Sequence, residues 1–166
     1  IGHGVGLNAS QRGQGVAAES DKSYLQAAST ALKTAKFGMF CIPGIARLKD
    51  LDMAADFGMK FVRIGTNVGD VYKSEKYIEK AKKHGMFVAA NFMKSYAMDP
   101  AGFARQAKLA QKYGADLLYI VDSAGGMLSK DLDRYFLAVQ DACDIPLGFH
   151  GHNNLGLAVS HTLRAV

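Results

Sequence analysis

The 166-residue sequence has only 2 cysteines and 3 prolines, and no apolar run approaching the roughly 18–20 residues that a bilayer-crossing helix requires. Each shortage excludes a class. Cys41 and Cys143 lie far apart, form no CxxC pair and have no metal-ligand spacing of their own, so neither a disulfide scaffold nor a thiolate metal site is expected. A reducing, cytoplasmic setting is the default, and no membrane partner is expected. With few prolines, 49% hydrophobic and 21% charged residues, the chain is neither a disordered nor a fibrous segment but one globular unit. Basic stripes interleaved with aromatics are also missing: Lys plus Arg exceed Asp plus Glu by 20 to 15, but the surplus is spread over segments such as 73–83, which also carry Glu75 and Glu79. A nucleic-acid partner is therefore not expected, and the charge favours small anionic ligands at most. The chain begins at Ile1 without an initiator Met, and its first residues are Gly-rich and polar, unlike a signal peptide. A true start upstream of Ile1 is the expectation.

What is present is a regular alternation of strand-length and helix-length patterns. Apolar runs rich in β-branched residues occupy 37–42, 60–64, 87–92, 117–122 and 147–150. Amphipathic helical spacing fills 22–36, 46–57, 71–84, 100–113, 130–142 and a last stretch from Leu155 onward. Gly58, Gly85 and Gly114 follow three of these helices, where a left-handed residue closes the last turn. Ser23, Asp70, Asp99 and Ser129 stand at helix starts, where a side-chain oxygen can accept from free backbone N–H groups. One strand, one helix and two short loops per repeat predict a parallel βα sheet, either an arc of a barrel or an open doubly wound sheet. Gly2-His3-Gly4-Val5-Gly6 lacks the preceding strand and the spacing of a dinucleotide fingerprint, which favours the barrel. Five strands, with a possible sixth ending near Gly2, fall short of the eight that close a barrel of about 250 residues. The expected fold is therefore α/β, an incomplete portion of a TIM (β/α)8 barrel lacking the first and last strands, with residues 1–166 as one partial domain.

The sharpest chemical signal is His150-Gly151-His152 at the end of the last strand. A period of two puts both imidazoles on one face, at the strand end where barrel active sites lie. Such a pair can supply two nitrogens to a divalent cation, with oxygens completing the shell; the plainer alternatives are local hydrogen bonding or an anion pocket. His3, near a strand end, is a weaker candidate for the same site, while His84 and His161 read as surface or structural residues. Asp122 and Ser123 end the fourth strand and point in opposite directions if it persists: Ser123 can bind a substrate carboxylate or oxo group while Asp122 holds a neighbour, or both can cap the next helix. Arg63 suits a buried ion pair or an anion contact. Asn67, Asn91 and Lys94 sit near other strand ends, and Lys94 could form a Schiff base with a carbonyl, although it reads more simply as a solvated loop lysine. Phe40 and Ile42 are candidates for lining a substrate pocket.

With these motifs placed, the chain resembles the 4-hydroxy-2-oxovalerate aldolase family, within the metal-dependent lyase barrels that include 3-hydroxy-3-methylglutaryl-CoA lyase and isopropylmalate synthase. HGHNNLGLAV at 150–159 is similar to the metal-binding strand of the whole superfamily. GHGVGLNAS at 2–10, IPGIARLKDL at 42–51, FVRIGTN at 61–67 and YIVDSAGGM at 119–127 resemble the aldolase branch. The resemblance implies a class II aldolase that cleaves a 4-hydroxy-2-oxoacid, such as 4-hydroxy-2-oxovalerate, to pyruvate and an aldehyde through an enolate stabilised by Mn²⁺ or a similar cation. It also implies His150 and His152 as metal ligands, Ser123 as a substrate contact, and an acylating acetaldehyde dehydrogenase as a partner. The family's Arg-Asp pair and catalytic His would lie upstream of Ile1, so no catalytic residue is assigned within the chain. Val5, and Thr66-Asn67-Val68 in place of a commoner His-Cys pair, depart from the family pattern and leave the exact substrate open. An acyl-CoA-dependent lyase or Claisen-type synthase of the same superfamily, and a non-catalytic anion-binding βα domain, are the alternatives.

Overall fold

In the computed structural model, which describes residues 1–166, five parallel strands form one sheet: β1 Gly38–Cys41, β2 Phe61–Asn67, β3 Phe87–Met93, β4 Leu117–Asp122 and β5 Leu147–Gly151. They pair strictly in chain order, β1-β2-β3-β4-β5. A doubly wound sheet reverses its order at a switch point; this one does not, so it is an arc of the TIM-barrel type with β1 and β5 at its edges. Residues 1–7 contain no strand, so the possible sixth one, ending near Gly2, is not seen here. Residues 1–7 instead run loosely along the outer edge of β1, held by the Ile1 ammonium on the Gly38 carbonyl (3.0 Å) and the Leu7 N–H on the Phe40 carbonyl (2.9 Å).

Helices α1 Asp21–Ala31, α2 Leu48–Asp56, α3 Glu75–Lys83, α4 Pro100–Tyr113, α5 Ser129–Gln140 and α6 Ala158–Arg164 complete the fold. α4 agrees with its expected bounds because both ends are signalled locally: the Asp99 carboxylate accepts the Gly102 N–H, and Gly114 closes the helix at φ +99°. α1 stops five residues earlier than its pattern suggested, since Leu25 and Ala28 are its only buried residues and nothing holds a further turn. Its cap is Ser20, not Ser23. The turn expected to open α3 at Val71 is a tight 3₁₀ segment, Val68–Ser74, broken at Asp70 (φ −113°, ψ 17°), and the α-helix begins only at Glu75.

The two sheet faces differ, as the period of two requires. Val62, Ile64, Val88, Phe92, Leu118 and Ile120 are buried beneath the helices and form the core. There Phe92, Phe103 and Tyr135 meet edge to face at 5.4 and 5.3 Å. The opposite face carries Phe40, Arg63, Asn91, Tyr119 and His150, and it lines an open concavity rather than a packed layer. No helix is long and apolar enough to cross a membrane.

Candidate functional site

A cavity of about 630 Å³ lies against this second face, toward the carboxyl ends of the strands. β5 delivers His150 and His152 into it with ring centroids 5.1 Å apart and planes inclined by 64°. The two rings are held differently. His152, at the exposed rim, has Nδ1 2.9 Å from the main-chain carbonyl oxygen of Asp122, and its backbone N–H donates to the same oxygen at 3.2 Å. A carbonyl only accepts, so Nδ1 carries the proton, and the neutral form of the ring has its lone pair on Nε2. His150 is half-buried, and burial, then the Arg63 charge and the neighbouring His152, push its pKa below the ordinary histidine value, favouring the neutral ring. Both are conditions that a metal-binding imidazole needs.

The β4 loop braces this pair. Asp122 turns away from the cavity, is 2% exposed, and accepts the N–H groups of Gly126 (3.2 Å) and Met127 (2.9 Å) on its carboxylate. The loop packs so closely on the β5 loop that a Cβ at Gly125 (φ +62°) would lie 2.5 Å from the His152 carbonyl oxygen. Gly125 also accepts the Leu155 N–H at 3.2 Å. Ser123 points the other way, into the cavity, where its Oγ accepts the Lys94 N–H at 2.9 Å; the hydroxyl proton is left free to donate. The opposed orientations of Asp122 and Ser123 agree with the strand period.

Other candidates divide cleanly. His3 lines the same cavity, its Nδ1 accepting the Val5 N–H at 3.0 Å, while His84 pairs with Asp52 on the surface and His161 is buried against Ser129 and Phe149. Phe40 lines the cavity but Ile42 does not; Asn91 does but Asn67 does not. Lys94 is exposed and absent from the lining: it contributes its backbone, held at φ +55°, rather than its amine, which removes the setting a Schiff-base lysine needs. Arg63 has no carboxylate within ion-pair distance, so the buried ion pair anticipated for it does not form within this chain. Ser95, which no sequence signal marks, is buried and ties β3 to β4 by donating to the Phe92 carbonyl (2.8 Å) and accepting the Val121 N–H (2.9 Å).

No group of three or more His, Cys, Asp or Glu side chains is placed to hold a metal ion within this chain, so His150 and His152 form a two-nitrogen set. The set fits two positions in the shell of a divalent cation, because burial favours the neutral His150 ring and the Asp122 carbonyl fixes the orientation of the His152 ring.

The sequence model of the HMGL-like family matches residues 5–166. Over its full length the chain is 44% identical to a 4-hydroxy-2-oxovalerate aldolase of Carboxydothermus hydrogenoformans and 42% identical to one of Pelotomaculum thermopropionicum. It spans 49% of the length of each of these curated relatives. Among solved structures, the N-terminal domain of an aldolase candidate from Bacteroides vulgatus superposes with a TM-score of 0.73 at 26% identity, over 87% of this chain and 49% of that one. The carboxyl transferase domain of Rhizobium etli pyruvate carboxylase shares the fold, with a TM-score of 0.75 at 18% identity over 95% of this chain and 29% of that one.

Proposed function

The chain belongs to the HMGL-like family, and from that premise we propose that it forms part of a class II aldolase that cleaves a 4-hydroxy-2-oxoacid, such as 4-hydroxy-2-oxovalerate, to pyruvate and an aldehyde. The observation that carries the proposal is the paired imidazoles of β5, with the free nitrogen of His152 fixed by the Asp122 carbonyl. The names of the full-length relatives supply the reaction.

His150 and His152 would hold the divalent cation, here Mn²⁺. When bound, the cation polarises the 2-oxo group and offsets the negative charge that develops as the carbon–carbon bond breaks. Ser123, its oxygen engaged by Lys94, donates its hydroxyl proton to an oxygen of the 2-oxoacid. The Asp122 carbonyl keeps His152 in one orientation and one tautomer, so no reorganisation of the ring accompanies turnover. Removal of the 4-hydroxyl proton needs a base that is not assigned to any residue of this chain. Delivery of the aldehyde to an acylating acetaldehyde dehydrogenase is part of the same proposal.

The test is pyruvate release from 4-hydroxy-2-oxovalerate by the intact protein, with Mn²⁺ and after chelation. Cleavage that requires metal and falls by about a hundredfold or more in His152→Ala supports the proposal. Cleavage unaffected by chelation contradicts it, and metal binding without cleavage moves the assignment to the acyl-CoA branch.

A further inference from the structure

The middle of the concave face carries a cation with no partner. The guanidinium of Arg63 donates from Nε to Asn91 Oδ1 at 3.2 Å and makes no other side-chain hydrogen bond or ion pair. Its Cζ lies 4.7 Å from the Tyr119 ring centroid and 6.0 Å from that of Phe40. Both rings have room because glycines face them: a Cβ at Gly148 would lie 2.7 Å from the Tyr119 ring, and one at Gly65 would lie 2.3 Å from that of Phe40. Thus β1, β2, β3, β4 and β5 all contribute to holding one guanidinium in place. Stacking leaves the in-plane N–H groups free, and these are the groups that bind a carboxylate bidentately.

Asn91 sharpens the case. It is only 3% exposed, and its Oδ1 must face the Arg63 donor, which assigns the amide orientation. Its Nδ2 has no partner in the chain, yet no fully buried side-chain nitrogen or oxygen anywhere in the structure lacks one. The Asn91 amide nitrogen therefore opens into the cavity, beside the Arg63 donors and on the wall that also carries Ser123, His150 and His152. Every free polar group at this spot is a donor, and one is a full positive charge. An unpaired charge beside low-dielectric walls draws an anion, and the planar fork selects a carboxylate.

We infer that Arg63 and Asn91 form a carboxylate-receiving site, distinct from the imidazole pair and from Ser123. Its occupant is the carboxylate of a small 2-oxoacid in the cavity, or an Asp or Glu side chain of polypeptide laid over the concave face. The choice of a 2-oxoacid rests on the aldolase function proposed above; the demand for a carboxylate does not.

The experiment uses the intact protein freed of metal by chelation, so that failure here is separable from failure of the metal-dependent cleavage. Pyruvate is titrated calorimetrically, with its methyl ester as the neutral control, and thermal unfolding is followed in parallel. The variants are Arg63→Gln, Arg63→Lys and Asn91→Asp, the last supplying Arg63 with an internal carboxylate at nearly constant shape. If a free acid is the occupant, Arg63→Gln weakens pyruvate by about tenfold or more and Asn91→Asp abolishes its binding. The methyl ester is then indifferent to both changes. If a polypeptide carboxylate is the occupant, pyruvate affinity is unchanged but Arg63→Gln lowers the melting temperature by several degrees, and Arg63→Lys restores most of the loss. Either pattern upholds the site and names its source. Unaltered affinity and melting in Arg63→Gln, or equal losses in the Gln and Lys variants, would overturn it, because the guanidinium would then be held for its stacking alone.

Discussion

The two cysteines differ in their access to solvent. Cys41 is fully buried, and burial first, then the nearby Asp50 charge, push its thiol up to about 12, whereas Cys143 is partly exposed. A thiolate is the reactive form, so an aromatic disulfide reagent at mildly alkaline pH should label Cys143 in the folded protein and Cys41 only after denaturation. Simultaneous labelling of both would contradict the packing of β1. His150 and His152 were legible as a pair because their relation is local: two residues apart on a strand means one face, whatever the rest of the chain does. Arg63 and Asn91 were legible only as separate strand-end residues, since their contact depends on the β2–β3 register, which places Arg63 opposite Ala89 and Asn91 opposite Gly65. No local pattern encodes that diagonal. The same limit hid the acceptor on His152, a main-chain carbonyl 30 residues away.

Elements whose ends are written locally agreed with their sequence patterns: β4 at 117–122 and α4 at 100–113 were readable to the residue. Those whose ends depend on tertiary support were not, as α1 and the 3₁₀ turn before α3 show. The loops that follow β4 and β5 are the elements on which the site depends, and they brace each other. Gly125→Ala forces a Cβ toward the His152 carbonyl and a side chain into left-handed backbone, so it should cost about 1–3 kcal/mol in denaturant unfolding. The control Gly126→Ala, whose added Cβ meets no atom within 4 Å beyond its chain neighbours, should cost far less. Equal effects would mean that the loops are not packed as described. Asp122→Ala removes the acceptor of two loop N–H groups and should loosen the same loop by a comparable amount, seen as faster amide exchange at Gly126 and Met127.

The sheet is a five-stranded arc in chain order, as the βα alternation predicted; its helix-covered face is a packed core, and its concave face carries Arg63, Asn91 and His150. Electrostatic support is peripheral. The Lys80 and His84 side chains hold the Asp52 carboxyl below its ordinary range, Lys73 does so for Asp70, and Arg164 for Asp133, all at exposed positions. Carboxylates with lowered folded values contribute stability above the ordinary value of about 3.9 and lose it as pH falls through the folded one. The melting temperature should therefore fall on acidification below about pH 4, and added salt should narrow the difference between neutral and acidic samples. A melting temperature flat across that interval would show that these pairs contribute nothing. The most direct test of the central claim, that β5 offers two imidazoles to one divalent cation, is a Mn²⁺ titration of the intact protein followed by electron paramagnetic resonance. Wild type, His150→Ala, His152→Ala and the cavity control His3→Ala would be compared. Loss of Mn²⁺ affinity by about tenfold or more in each of the two β5 variants, with His3→Ala unchanged, is the predicted result. Undiminished affinity in either β5 variant would contradict the pair as the metal site.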